Sequence, residues 1–219
     1  MSARPLPRPV DAAPAQRGKH VALALTLIVF AASWIKPMWP AEQALHSSLT
    51  VVALAWLVLH DRRWSMRVQD FVAICGFIAA HAIASRWLYS YVPFDAWSRT
   101  LFTWSPTEAF ALQRNPADRV IHFLYGLCFA PALREHALRR WPALSPRQAF
   151  ALAVGAIMCS SLAYEWFEWG VALSLSPTDA ESYNGQQGDA WDAHADMLLA
   201  TIGALFAFPR AFPRKPVTA

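Results

Sequence analysis

The chain has 219 residues, 56% of them hydrophobic and 16% charged, with a mean hydropathy of +0.25. That balance is too apolar for an ordinary soluble domain and points to an integral membrane protein. The net charge of +4 does not call for nucleic acid, because Lys and Arg fall between the hydrophobic runs, where they act as orientation signals. Cys75, Cys128 and Cys159 lie inside apolar runs without CxxC spacing, so neither a disulfide framework nor a thiolate metal site is expected and they read as small core residues.

Residues 1–20 hold Arg4, Arg8, Arg17 and Lys19 among several prolines and are expected to form a disordered cytoplasmic tail. The apolar run that follows resembles a signal peptide's core. Trp34, Lys36, Pro37 and Trp39 come directly after its small residues, however, and suit an uncleaved interfacial anchor. Hydrophobic segments then occur at about 21–38, 44–59, 71–92, 120–138, 149–173 and 191–208. The expected fold is an all-α polytopic transmembrane bundle of about six spans, one domain over 21–209 with a short basic tail at 210–219.

Charge placement supports the count. With six spans, Arg4, Arg8, Arg17, Lys19, Arg62, Arg63, Arg67, Arg134, Arg139, Arg140, Arg147, Arg210, Arg214 and Lys215 flank one side, and Lys36, Arg86, Arg99 and Arg114 the other. This alternation fits an inner-membrane protein with both termini in the cytoplasm. The stretch 93–117, with Trp97, Trp104 and three prolines, is expected on the outer surface with a short helix around 107–113. The short link 139–147 makes spans four and five antiparallel neighbours. His46, His60 and His136 near loop boundaries read as interfacial, and His194 as facing a neighbour or the interface.

The stretch 164–203 concentrates carboxylates beside apolar sequence: Glu165, Glu168, Asp179, Glu181, Asp189, Asp192 and Asp196. Asp189, Asp192 and Asp196 step by three and four along one helix face, continued by Gly203, and Asp196 lies about 10 Å below Asp189. Glu165 and Glu168 share a face of span five. Asp118, Arg119 and His122 sit at the outer entrance of span four, His122 one turn below Asp118, and His81 of span three can join at a similar depth. A carboxylate facing lipid costs about 2.5 to 3.5 kcal/mol, so these groups turn inward and pair, hydrate or share a cation.

Three readings follow. Asp118, Arg119 and His122 could clamp span four to the acids of spans five and six without chemistry. Alternatively, His122, Glu165, Glu168, Asp192 and Asp196 form a catalytic site, with Asp118, Arg119, Gln187 and Asp189 as binding residues. In that case crowded carboxylates supply an acid/base pair, or hold a divalent metal together with His122. The third reading is a proton- or cation-coupled transporter using the acids as a relay. Gln187 lies within NGQQGD, where Gly185 and Gly188 supply backbone freedom for a turn. No phosphate loop, HExxH or GxSxG occurs, which removes the common nucleotide, zincin and hydrolase readings.

The motifs NPADRVIHFLYGL (115–127), YEWFEW (164–169) and QGDAWDAHADM (187–197) resemble the YjdF-like family of bacterial inner-membrane proteins, a domain of unknown function. The likeness covers spans four to six, while spans one to three match in hydropathy only. More distantly, an Asp-x-x-x-His-Phe span entrance, a later Glu, a Gln, and a final Asp followed by Gly seven residues on resemble VanZ-like proteins. There an Asn usually stands four residues after that Asp; here the position is Ala200. The resemblance implies a membrane topology and the importance of the polar motif, and no established activity; the expected role, from the outward-opening polar site, is action on an envelope-facing ligand such as a lipid or cell-wall intermediate.

Overall fold

A computed structural model describes residues 13–176, 180 and 183–212. The expectations placed on Arg4, Arg8, Asp179, Glu181, Arg214, Lys215 and the two tails fall wholly or partly outside that range. The described residues form α1 (Ala13–Ser33), α2 (Pro40–Trp64), α3 (Val68–Arg86), α4 (Phe94–Phe102), α5 (Pro106–Ala109), α6 (Ala117–Arg140), α7 (Pro146–Ala172), α8 (Asp192–Phe206) and α9 (Phe208–Ala211). The architecture is all-α.

Three helices, α2, α3 and α7, are long and apolar enough to cross a membrane. The other long helices fall short for visible reasons: α1 opens on polar turns, α6 carries charges at both ends, and α8 is only 15 residues long. Much of the apolar surface faces outward, as Leu25, Ile28, Val52, Leu59, Met158, Trp166 and Leu198 show. That pattern suits a lipid solvent.

Both α1 and α2 pack on α3, α3 packs on α6, and α6 also meets α7 and α8. The tightest approach is α6 against α8. A Cβ on Gly126 would overlap the Ala200 carbonyl oxygen and stand 2.6 Å from the Ala204 nitrogen, and one on Gly203 would overlap the Phe123 carbonyl oxygen. Small residues at these positions let two backbones touch. Pro131 lies inside α6, where its missing N–H leaves the Leu127 carbonyl without its intrahelical donor. Arg210 Nη1 supplies a replacement at 3.4 Å.

Basic residues gather at one end of the bundle. There Lys19 pairs with Asp61 at 2.9 Å, Arg67 and Arg210 hold the buried Asp70 at 2.7 and 3.3 Å, and Arg139 donates to the Ser65 carbonyl at 3.3 Å. At the same end Ser145 and Gln148 form a reciprocal capping box that starts α7 directly after the turn from α6. The opposite, acidic end is tied by Arg86, which donates to the carbonyls of Ser33 and Ile35 at 2.7 and 2.8 Å.

Four expectations need correction. The third segment ends at Arg86, because Leu88 and Tyr89 adopt positive φ (45° and 56°), which no helix continues. The stretch 93–117 holds two helices, α4 and α5, rather than one over 107–113; Asp95 Oδ1 accepts from Ser105 Oγ at 2.8 Å and Thr107 N–H at 3.0 Å, starting α5 earlier. Cys159 is exposed on α7 instead of buried. His46 is fully buried, stacked on Tyr183 with ring centroids 4.5 Å apart, rather than interfacial.

Candidate functional site

Three loops converge at the acidic end. Asn115 Nδ2 donates to the Val92 carbonyl at 2.8 Å, and its Oδ1 accepts from Ala117 N–H at 3.1 Å as α6 begins. Gln187 grips the Asn115 backbone from both sides, accepting its N–H at 2.8 Å and donating to its carbonyl at 3.3 Å. Gly185 and Gly188 take positive φ (68° and 81°), the backbone freedom expected of this turn. Gln187 therefore fixes the loop that leads into α8 and does not itself reach the acids through any of these bonds.

This loop brings two guanidinium groups onto the α8 carboxylates. Arg114 bonds Asp192 Oδ1 with Nη1, while its Nη2 reaches the Gly185 carbonyl at 3.0 Å and Asp118 Oδ2 at 3.3 Å. Arg119 donates to Asp192 Oδ1, the Asp192 carbonyl and Asp189 Oδ2, each at 2.8 Å. It also lies 2.9 Å from Asp196 Oδ1, an ion pair by distance whose geometry misses hydrogen-bond alignment. Burial opposes the charge on Arg114, but hydrogen bonding and attraction from Asp192, with Asp118 and Asp196 behind it, outweigh that and hold the group above its ordinary pKa. Asp118 and Asp192 sit in the first turns of α6 and α8, where helix dipoles favour negative charge.

Below this clamp lies a second layer. Asp118, His122 and Asp196 are all buried, and one ligand-capable atom of each lies within 4.8 Å of the others. His122 Nε2 is 3.7 Å from Asp118 Oδ1, as their spacing along α6 requires. Glu165 of α7 is buried, its Oε1 lacks a partner among the described residues, and it lies within the field of Asp196, Asp192 and Arg119. Glu168, one turn on, hydrogen-bonds Tyr164.

Asp118 and His122 open onto a cavity of about 680 Å³ between α2, α3, α6 and α7. Its walls run from Asp118 to Leu133, about 22 Å along α6. The deep part is apolar, walled by Trp56, Phe77, Phe129 and Leu133. The polar head adds His81, whose Nδ1 lies 3.1 Å from Thr50 Oγ1 and whose Nε2 lies 2.9 Å from the Tyr89 hydroxyl. α2 leans on α3, and α7 leans on α6 and α8. The space left between α2 and α7 is the cavity. A smaller space of about 10 Å³ at the basic end, beside His60 and His136, has room for no more than a water.

A family profile described as "Predicted membrane protein (DUF2238)" matches residues 18–212. The chain belongs to this family. A relative among curated proteins is "Inner membrane protein YjdF" of Escherichia coli (strain K12), 36% identical over 98 residues, which make up 45% of this chain and 46% of that protein. The matched region thus spans about half the length of that relative. No solved structure matches. These matches carry the YjdF-like resemblance and do not extend to the VanZ-like one.

In this DUF2238 protein the expected groups Asp118, Arg119, His122, Glu165, Asp189, Asp192 and Asp196 come together at one end of the bundle. Glu168 joins them, hydrogen-bonded to Tyr164 and within the field of Asp118, Glu165 and Asp196. His194 is exposed and packs edge-on against Trp191 at 5.2 Å, off the acid face. Sequence reasoning missed Arg114, which precedes α6 and looked like one more flanking charge. It also missed Thr50, Tyr89 and Tyr164. The spacing Arg114-x-x-x-Asp118 was the available signal for the first.

Proposed function

We propose that this protein is a six-span inner-membrane protein that binds an amphipathic membrane molecule, a lipid or lipid-linked envelope intermediate, with its apolar chain in the cavity and its polar head at Asp118, His122 and His81. The observation that carries this reading is the cavity itself: about 680 Å³, apolar along most of its length, and ending on buried titratable side chains. A pocket so built matches a long apolar tail joined to a small polar head. Both termini are cytoplasmic and the polar head faces the envelope, supported by the gathering of Lys19, Arg67, Arg139 and Arg210 at the opposite end.

Within that reading the polar groups divide their tasks. Arg114, Arg119, Asp189 and Asp192 are bound to one another and act as the clamp between α6 and α8. Asp118, His122, Glu165 and Asp196 are the groups left to act on a ligand.

Native mass spectrometry of the detergent-purified full chain tests the reading. Wild-type protein retains a lipid-sized adduct, and Ala53→Trp or Ala156→Trp, each filling the cavity from one wall, removes it while the protein stays monodisperse. Equal retention by wild type and both variants would refute the proposal.

A further inference from the structure

We infer that Asp118, His122 and Asp196 form a binding site for one first-row divalent cation at the head of the cavity. Access to the site rests on the cavity reading above; the ligand set does not.

The first argument is geometric. A carboxylate oxygen from Asp118, an imidazole nitrogen from His122 and a carboxylate oxygen from Asp196 lie within 4.8 Å of one another, all on buried residues. They come from two helices whose spacing is fixed by the glycine contact at Gly126 and Gly203. Two carboxylates and one imidazole are a donor set suited to zinc, manganese or iron, with a coordination position left for water or a ligand head.

The second argument is charge. Arg114 and Arg119 each meet both Asp189 Oδ2 and Asp192 Oδ1, so two guanidinium groups and two carboxylates balance. Asp118 and Asp196, on residues that are 7% and 2% exposed, then remain as two carboxylates outside that balance, with Glu165 and Glu168 adding to the negative field around them. The same guanidinium groups approach them, Arg114 at 3.3 Å from Asp118 Oδ2 and Arg119 at 2.9 Å from Asp196 Oδ1. That steadies the carboxylates but adds no further positive charge. A divalent cation neutralises the pair, and burying unbalanced charge is otherwise costly.

The third observation is Glu165. It is 9% exposed, its Oε1 has no hydrogen-bond partner among the described residues, and the charges of Asp196, Asp192, Glu168 and Arg119 act on it. A buried carboxylate oxygen without a donor, in the field of other carboxylates, calls for a cation or a metal-bound water. Asp118 and His122 also line the cavity, so a cation held by them is reachable by the head of a bound molecule.

The competing occupant is a proton shared by Asp118 and Asp196. Mn²⁺ added to chelator-stripped, full-length protein in detergent distinguishes the two. Electron paramagnetic resonance is expected to report one bound Mn²⁺ per chain, displaced by Zn²⁺, with a nitrogen coupling that changes on ¹⁵N-histidine labelling. His122→Ala loses the coupling and Asp196→Asn loses the binding, whereas Asp189→Asn, which touches only the clamp, keeps both.

Absence of bound Mn²⁺ and Zn²⁺ in wild-type protein, or bound Mn²⁺ without imidazole coupling, overturns the site. Because both readings are taken on wild-type protein, misfolding of a variant does not protect the proposal. Retained lipid without Mn²⁺ refutes the cation site and leaves the cavity reading standing; bound Mn²⁺ without lipid does the reverse.

Discussion

Arg119 holds Asp192 at two points, donating 2.8 Å hydrogen bonds to its Oδ1 and to its backbone carbonyl. One side chain thereby fixes both the charge and the helical start of α8. The planar guanidinium matters, because a lysine can place its charge near Asp192 but cannot reach Asp189, Asp192 Oδ1 and the carbonyl together. Arg119→Lys is expected to lower the unfolding free energy by about 2 kcal/mol, read as a lower melting temperature in detergent. An unchanged transition would show that Arg114 suffices.

At the α6–α8 contact, Gly126→Ala and Gly203→Ala each drive a methyl group into backbone that cannot rotate away. Each should cost about 1 to 3 kcal/mol. The double variant should cost less than the sum, since separating the helices once relieves both clashes. Thermal unfolding of the two single variants and the double variant measures this directly; strict additivity would refute a shared contact.

Tyr89→Phe removes the hydroxyl 2.9 Å from His81 Nε2 and leaves that nitrogen dependent on the cavity. The expected loss is about 1 to 2 kcal/mol, with His81 becoming more reactive toward diethyl pyrocarbonate. If His81 stays as protected as in the wild type, the Thr50–His81–Tyr89 chain does not hold the ring.

Asp95 gives a pH dependence outside the membrane-spanning helices. The backbone hydrogen bond from Thr107, with side-chain hydrogen bonds from Thr107 and Ser105 and the charge of Arg99, holds its carboxyl below the usual value. A depressed folded-state pKa means the unfolded loop binds the proton more readily, so this contribution is present above the ordinary carboxylate pKa and is lost as pH falls through the folded value. The Thr107 amide should therefore lose hydrogen-exchange protection, corrected for intrinsic rate, as pH falls below the ordinary carboxylate pKa of about 4. Asp95→Asn should abolish that change. Equal pH profiles in both proteins would exclude Asp95 as the cause.

Much of the architecture is written in local pattern. The six hydrophobic segments all appear as helices, with boundaries displaced where the chain does something nonlocal: Leu88 and Tyr89 turn left-handed to bring the Tyr89 hydroxyl onto His81. The acid face of α8 was legible because a step of four puts Asp192 and Asp196 on one side of the helix, whereas Asp189, expected on the same stripe, stands in the turn before it. Cys159 was misread because an apolar run looks alike whether its face meets protein or lipid.

By itself the sequence determined that this chain is a helical membrane protein with Asp118, Glu165, Glu168, Asp192 and Asp196 at similar depth, because hydrophobic length, charge alternation and helical period are properties of neighbours along the chain. The tertiary structure alone decided which acids meet which guanidinium group. Arg114 reaches Asp192 across 78 positions, and the Gly126–Gly203 contact sets how closely α6 and α8 approach. The cavity, too, exists only as the gap between helices that lean on different partners. Stretch 164–203 announces that charge is buried; long-range packing sets which of Asp189, Asp192 and Asp196 meet Arg114 and Arg119.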